Sequence, residues 1–548
     1  MRWVTKITLL ALACASESVP GLAWKVPIGA RTGQGEANFS ETVYVDAEKG
    51  IDTNQGRSQQ KPLKSIGVAL KQALIAYDKG ASTRIQIAPG TYRESLQLTG
   101  KNMNVGPRIA IEAATPGTVI ISGADVWTGW QKSDESPDEY THAWSSQGGL
   151  CKVPPHWPND IGEIALRREM VFVDQNLVRQ VLSRAELAPG TFFVDDPRGV
   201  IYLRLTPDFD ISRATVEVAV RPKLLSDNGV SGIQVSGIAF EKANTCLPGA
   251  AVQFFNTSEA RIENCTFRWN SFHGLELHGV SDTSVKKAIA AHNGGAGFHG
   301  FQLKNVVYED DEASYNNWRG AGGHFFFWDV GGAKLMWAHN VTVTRFRAFA
   351  NQSVGLWFDT DDRDVLISEA NLSQNSYSGL FLEANQGPIQ VEGSRICSNG
   401  AEGVRILNSE KVSIENSTLY GNKIAQVFLD GRVKARNAKD WETHEPISVS
   451  TKDFSLTGNS IVSSDGKQVL MSSLSADPDV ANAFLNTLAS GKNTWFSPQP
   501  ANAFKIDVRG DKQGQALDWN AWRAVVPHDV TSIFGKPTLN PAESCGTQ

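Results

Sequence analysis

From Ala251 to Ile424, apolar and polar positions alternate in short runs that restart every 22 to 24 residues. GLWFDTDDRDVLISEANLSQNSYS begins at Gly355, and GLFLEANQGPIQVEGSRICSNGAE begins 24 residues later at Gly379. Both runs open with Gly and carry apolar residues at their second and fourth positions. Both have an acid at the fifth position (Asp359, then Glu383) and an Asn near the end (Asn375, Asn399). Related runs begin at Ala251, Gly274, Gly297 and Gly403, with a longer one near Gly322 or Gly323. Alternation with period two marks strands, and a fixed repeat of this length without a helical period marks a solenoid. The spaced Leu signature of leucine-rich repeats is missing, so the pattern predicts an all-β, right-handed parallel β-helix. Asn270, Asn293, Asn316 or Asn317, Asn351, Asn375, Asn399 and Asn422 recur about once per coil, as a ladder of stacked Asn side chains requires.

The flanks predict additions to this solenoid. Residues 24–126 hold an N-terminal cap and the first coils. Within them an amphipathic helix is expected near 65 to 77, with Ile66, Val68, Ala69, Ala73 and Leu74 on its apolar side, covering the open end. Residues 127–225 break the repeat; MVFVDQNLVRQV, GTFFVDDPRGVIYLRL and ATVEVAV read as short antiparallel strands of an inserted β subdomain. That subdomain either borders a cleft or is packing alone. Residues 226–435 are the central coils, with DVGGAKLMWAHN as an insertion after a strand at Gly323. Residues 436–548 are the last coils and a tail over the far end.

Residues 1–23 read as a signal peptide: Arg2 and Lys6, an apolar centre, then Gly21-Leu22-Ala23. The location expected is therefore secreted or periplasmic. Lipoprotein attachment through Cys14 or a buried first strand is the weaker reading. Without Cys14 five cysteines remain, so at least one thiol is free or intermolecular; Cys246 and Cys265 are candidates to pair. Their spacing suggests no zinc site. A net charge of −6 gives no nucleic-acid surface, and no apolar run after the N-terminus is long enough to span a bilayer. A monomer is expected.

Because strand side chains alternate, the third and fifth positions of each run face away from the interior. The third reads Gln253, Glu276, His299, His324, Trp357, Phe381, Arg405; the fifth reads Phe255, His278, Phe301, Phe326, Asp359, Glu383, Leu407. Aromatics beside His and carboxylates suit sugar rings, which have apolar faces and hydroxyl edges. Stacked strands lie about 4.8 Å apart, so Asp359 and Glu383 are expected about 5 Å apart. Retaining glycosidases need two carboxyls about 5 to 5.5 Å apart. The candidate catalytic residues are Asp359 and Glu383. The candidate substrate contacts are Trp357, His299, Lys334, His278, His324, Arg405 and Asp361. No metal ligand is assigned.

Two stretches carry a family resemblance. A YV strand, GxDxNxG (Gly50 to Gly56), Pro62-Leu63-Lys64-Ser65-Ile66 and APGTYRE (Ala88 to Glu94) resemble the opening of secreted β-helix carbohydrate-active enzymes. GLWFDTDD followed by GLFLEANQGP is similar to the catalytic region of glycoside hydrolase family 120, and more loosely of family 141. Family 120 contains retaining β-xylosidases. The resemblance implies Asp359 as nucleophile, Glu383 as acid/base, xylosidase-like or fucosidase-like activity and no cofactor. The acidic stretch Thr360-Asp361-Asp362-Arg363 departs from that pattern. The expected substrate is a plant or algal polysaccharide or oligosaccharide. Two other readings stand beside it. One is a β-helix lyase or uronate epimerase, with Ca2+ on DTDDRD (359–364) and Lys334 or Arg405 as base. The other is a non-catalytic glycan-binding solenoid or adhesin.

Overall fold

Each regular coil contributes three strands. In the coil of Gly355, Val354–Asp359 and Arg363–Ser368 run parallel and in register with Leu380–Glu383 and Ile389–Glu392 of the next coil. A shorter third strand, Asn371–Ser373, stacks on Arg395–Cys397. Thirteen such short strands form one sheet, from Gly90–Tyr92 to Ile533–Phe534. This is a computed structural model, and it describes residues 38–100, 106–145, 149–155, 160–207, 209–322, 329–538 and 540–546. Residues 1–23, read above as a signal peptide, and Cys14 with them, lie outside the described residues. Among the described residues no helix is long and apolar enough to cross a membrane.

The alternation does what the sequence predicts. Leu356, Phe358, Leu380, Leu382, Val404 and Ile406 point inward and are at most 1% exposed. Burying one such side chain is worth about 1.5–3 kcal/mol, and the interior repeats the gain at every coil. The helix runs Ile66–Asp78; its buried side is Ile66, Ala69, Leu70, Ala73 and Tyr77, so Leu70 and Tyr77 take places expected for Val68 and Leu74. Asp52 and Glu94, from the two halves of the opening motif, fix its start. Asp52 accepts from the Lys64 and Ser65 N–H groups, and Glu94 from those of Ile66 and Gly67. Carboxylates here satisfy donors that a helix N-terminus leaves unpaired.

The Asn ladder is continuous. Asn270 donates to Asn293, Asn293 to Asn316, Asn316 to Asn351, Asn351 to Asn375, Asn375 to Asn399 and Asn399 to Asn422, at 2.9–3.0 Å. Each of these amides also donates to a backbone carbonyl of the preceding coil, for example Asn375 to Ala348 at 3.0 Å. The same ladder explains the first-position glycines. A Cβ on Gly355 would meet Asn375 Nδ2 at 2.6 Å, and one on Gly379 would meet Asn399 Nδ2 at 2.6 Å.

Two expectations are corrected. The strand of the irregular coil is Gly331–Thr344, continuous over 14 residues, so DVGGAKLMWAHN is mostly strand and not insertion. Its first-position glycine is Gly332, whose Cβ would meet Asn351 Nδ2 at 2.8 Å. The extra residues of this coil therefore precede the strand; Gly323, His324 and Phe326 lie outside the described residues. Cys246 bonds Cys151 and not Cys265, Cys397 bonds Cys545, and Cys265 is a buried free thiol.

Between Val119–Ser122 and Leu225–Asn228 the chain leaves the solenoid. It forms an eight-stranded, mostly antiparallel sheet from Ala124 to Ala219. The buried Arg319 guanidinium fastens it, donating to the Glu169 carbonyl at 2.9 Å and to Gln180 at 3.2 Å. At the far end the helix Trp519–Val525 sets Trp522 on Phe504, ring centroids 4.5 Å apart, closing the last coil. Replacing Asn375 by Ala removes the acceptor of the Asn351 N–H and of one amide N–H of Asn351, and a donor to the Ala348 carbonyl, in the interior. We expect a loss of about 2–4 kcal/mol in denaturant unfolding, whereas the surface change Lys423→Ala stays within about 0.5 kcal/mol.

Candidate active site

The two outward rows are not equivalent. The fifth-position row is partly open, whereas the third-position row is buried from Gln253 to Phe381. Along the open row, Phe255 lies 5.0 Å from His278, and His278 lies 4.7 Å from Phe301. Met336 comes next, paired with Phe301 on one side and Asp359 on the other. Asp359 then pairs with Glu383, and Glu383 with Leu407. The two candidate acids thus occupy the same position on adjacent parallel strands, where backbones lie about 4.8 Å apart.

Each acid meets a different cation. Lys334 Nζ is 2.9 Å from Asp359 Oδ2, and Thr360 Oγ1 donates to Asp359 Oδ1 at 2.9 Å. Arg436 Nη1 is 3.1 Å from Glu383 Oε1. Burial first, and then the charge of Asp359, push the Glu383 carboxyl up to about 7, against the pull of Lys334, Arg436 and Arg405. Both acids keep a sliver of exposure, 14% and 13% at the side chain. The pair can therefore be reached from outside while sitting in a medium that disfavours a second negative charge.

The third-position row changes the part assigned to several residues. Trp357, expected as a sugar platform, is 1% exposed; it stacks on Phe381 at 5.0 Å, and Lys334 Nζ lies 3.9 Å from its ring. It supports Lys334 and offers no face to a ligand. His299 is also buried, its Nε2 3.1 Å from Asp329 Oδ1. Burial opposes its charge, but Asp329 and then Glu276 outweigh burial and raise its pKa. His273 completes this array, its Nε2 3.2 Å from Asp329 Oδ2, with its pKa lowered by burial to about 4. Its Nδ1 accepts the Ala296 N–H at 2.8 Å, which puts the imidazole proton on Nε2 and leaves no lone pair there for a metal. His278 stays in the open row, and Arg405 pairs with Asp430 at 2.8 Å one coil beyond Glu383. His324 lies outside the described residues.

Asp361 is fully buried and serves structure. It accepts the Trp441 N–H at 3.1 Å, lies 3.3 Å from His339 Nε2 and accepts from Gln386. Asp362 accepts the Ala338 N–H at 2.7 Å, and burial raises its pKa well above the carboxylate range. The acids of DTDDRD thus go to separate partners and do not gather around one cation. His339, Asp361 and Asp440 carry ligand-type atoms close together, but Asp440 is already engaged by Arg363 at 2.8 Å.

Sequence reasoning missed the hairpin of Arg436–Lys439 and Pro446–Val449, which carries Arg436 to Glu383. Its signal was present as length. Gln390 pairs with Ser413, 23 positions on, but Glu410 pairs with Lys452, 42 positions on. Extra residues in one repeat form a loop on one face, and such loops line binding faces.

Residues 250–424 match the family model described as "Right handed beta helix region". No curated protein matches the sequence. Among solved structures, one described as the complex structure of XylC with xylose superposes with a TM-score of 0.68 at 13% identity, over 91% of this chain and 87% of that one. A structure described as a glycoside hydrolase gives 0.52 at 12% identity, over 71% and 95%. The A-module of the Azotobacter vinelandii mannuronan C-5 epimerase AlgE4 gives 0.49 at 13%, over 90% and 100%. At such identities the likeness establishes the shared architecture: this chain is a right-handed parallel β-helix solenoid.

Proposed function

We propose that the protein is an exported glycoside hydrolase that cleaves a saccharide with retention, resembling family 120 in its acid pair. The observation that carries the reading is the in-register stack of Asp359 and Glu383 with a separate cation on each. Stacked strands give the short carboxyl separation that a retaining mechanism uses. A carboxyl pushed up to about 7 holds its proton near neutral pH, as a general acid must. The xylose-bearing relative supports a pentose-type sugar in the site.

In the first step Asp359 attacks the anomeric carbon and the bond to the glycosidic oxygen breaks. Glu383 delivers its proton to that departing oxygen. In the second step Glu383 takes a proton from water, the water oxygen bonds the anomeric carbon, and the bond to Asp359 breaks. Lys334 and Thr360 hold the Asp359 carboxylate from two sides, and Arg436 orients Glu383.

Activity on a panel of aryl glycosides and uronate polysaccharides tests the reaction class. We expect reducing-sugar release that EDTA leaves unchanged, a first product of retained anomeric configuration by NMR, and losses of about 10²–10⁴-fold in Asp359→Ala and Glu383→Ala. Ultraviolet absorbance of an unsaturated uronate, abolished by EDTA, would replace the hydrolase with the lyase. The pH profile tests the roles. Arg436 pulls the Glu383 pKa down, so Arg436→Ala should move the basic limb of kcat/KM to higher pH. A limb that stays in place or moves down would remove Glu383 as the acid.

Stability gives a check that needs no substrate. The Glu383 pKa is raised on folding, from the usual 4.5 to about 7. Its contribution is therefore fully present below about 4.5 and is lost as pH rises through about 7. The melting temperature of Glu383→Gln, measured relative to wild type, should be higher at pH 8 than at pH 5. An offset independent of pH would contradict the shift.

A further inference from the structure

A second feature of this face is a cleft of about 560 Å³ between the solenoid corner and the 436–449 hairpin. Trp337 and Gln302 line it from the corner; Trp441, Asn437, Lys439 and His444 line it from the hairpin. We propose that this cleft is a carbohydrate-binding subsite, taking the sugar unit next to the one held at Asp359 and Glu383. Its position relative to the cleaved bond rests on the hydrolase reading above; its carbohydrate chemistry does not.

The location follows from chain continuity. Met336 pairs with Asp359, and Trp337 is the next residue; Arg436 contacts Glu383, and Asn437 is the next residue. Successive Cα atoms are about 3.8 Å apart, so the cleft begins one residue beyond the two residues, Met336 and Arg436, that neighbour the acids. Its volume falls within the range of small-ligand sites, about 300–1,000 Å³.

The lining has the chemistry of sugar recognition. Two indoles provide flat apolar surface for the C–H face of a pyranose or furanose ring. Both indole N–H groups are turned away from solvent, so the rings contribute apolar surface to the cleft. The side chains of Gln302, Asn437, Lys439 and His444 donate to and accept from no other described residue. They offer both donors and acceptors to ring hydroxyls.

The cleft is also built, not left over. Trp337 occupies the corner position that Gln302, Thr360 and Ala384 take in neighbouring coils, all with positive φ. A φ of 52° lies in the left-handed region that bulky residues adopt only rarely. Its N–H donates to the Thr360 carbonyl at 2.9 Å, and Phe301 backs its ring at 4.5 Å. The facing wall is pinned at three successive places. Arg436 meets Glu383, Asp440 meets Arg363, and the Trp441 N–H meets Asp361. The Trp441 ring then rests against His339 at 5.3 Å. A wall held this way needs little ordering when a ligand arrives.

Calorimetric titration of the full chain carrying Glu383→Gln tests the proposal. The probes are xylotriose, mannotriose, cellotriose and trigalacturonate, each with its monosaccharide. We expect at least one trisaccharide to bind more tightly than its monosaccharide. That affinity should fall at least tenfold in Trp337→Ala and in Trp441→Ala. Trp337→Phe and Trp441→Phe, which keep an apolar ring, should retain most of it and control for misfolding. Trisaccharide binding that is indifferent to all four changes, or absent across the panel, overturns the subsite. Binding that follows this pattern in a chain whose wild type turns over no glycoside leaves the subsite standing and removes the hydrolase.

Discussion

The structure depends on a close contact between an Asn amide and a glycine that has no side chain. Nδ2 of Asn375 occupies the space that a Cβ on Gly355 would need, and Asn399 does the same at Gly379. Each Asn also binds the Asn of the next coil and a carbonyl of the preceding one. A slip of one residue would break these bonds and turn every interior Leu outward, so register is strongly specified. That register sets Asp359 over Glu383. Like charges directly opposite on neighbouring strands are destabilising, a local cost that the continuous ladder and interior packing hold in place.

The rest of the face divides into a closed row and an open one. Lys334 carries its charge in the closed row, braced by the Trp357 ring at 3.9 Å, and reaches Asp359 from behind. A buried ammonium without partners would be expensive; its carboxylate partner and the indole face offset that cost. The open row keeps Phe255, His278 and Phe301 along the approach to the acids. Rigid parts lie behind the pair and accessible parts beside it, as a site set on stacked strands allows.

The parts legible in the sequence are those repeated within one coil's length. GLWFD and GLFLE announce the inward Leu and Phe side chains, the outward acids and the Asn ladder, because all of these follow from period two within a period near 24. The same logic misled at Gly323. GGHFFF has the sequence pattern of a strand opening and lies mostly outside the described residues, while the register and the ladder select Gly332, which a local pattern cannot reveal. Trp357 was misjudged for a related reason. Alternation tells which way a side chain leaves the strand, not whether Tyr377 and Leu407 close over it. Arg436 and Trp441 reach the site from a hairpin some 50 to 80 positions downstream of the acids they serve. No periodicity carries that information; only the coil that advances by 42 positions marks the place.

The division of labour between the two acids follows from what flanks them. They share a coil position and an interior neighbour pattern, so the strand alone makes them equivalent. Lys334 breaks the symmetry from the closed row: the residue is 3% exposed, and its Nζ lies 2.9 Å from Asp359 Oδ2. Arg436 approaches Glu383 from a hairpin and is 41% exposed at its side chain, so solvent weakens its pull. A well-screened cation cannot cancel burial and the neighbouring carboxylate, and Glu383 is left as the member that holds a proton near neutral pH. The two carboxyls of the stack therefore differ because a buried cation contacts Asp359 while a solvent-exposed one contacts Glu383.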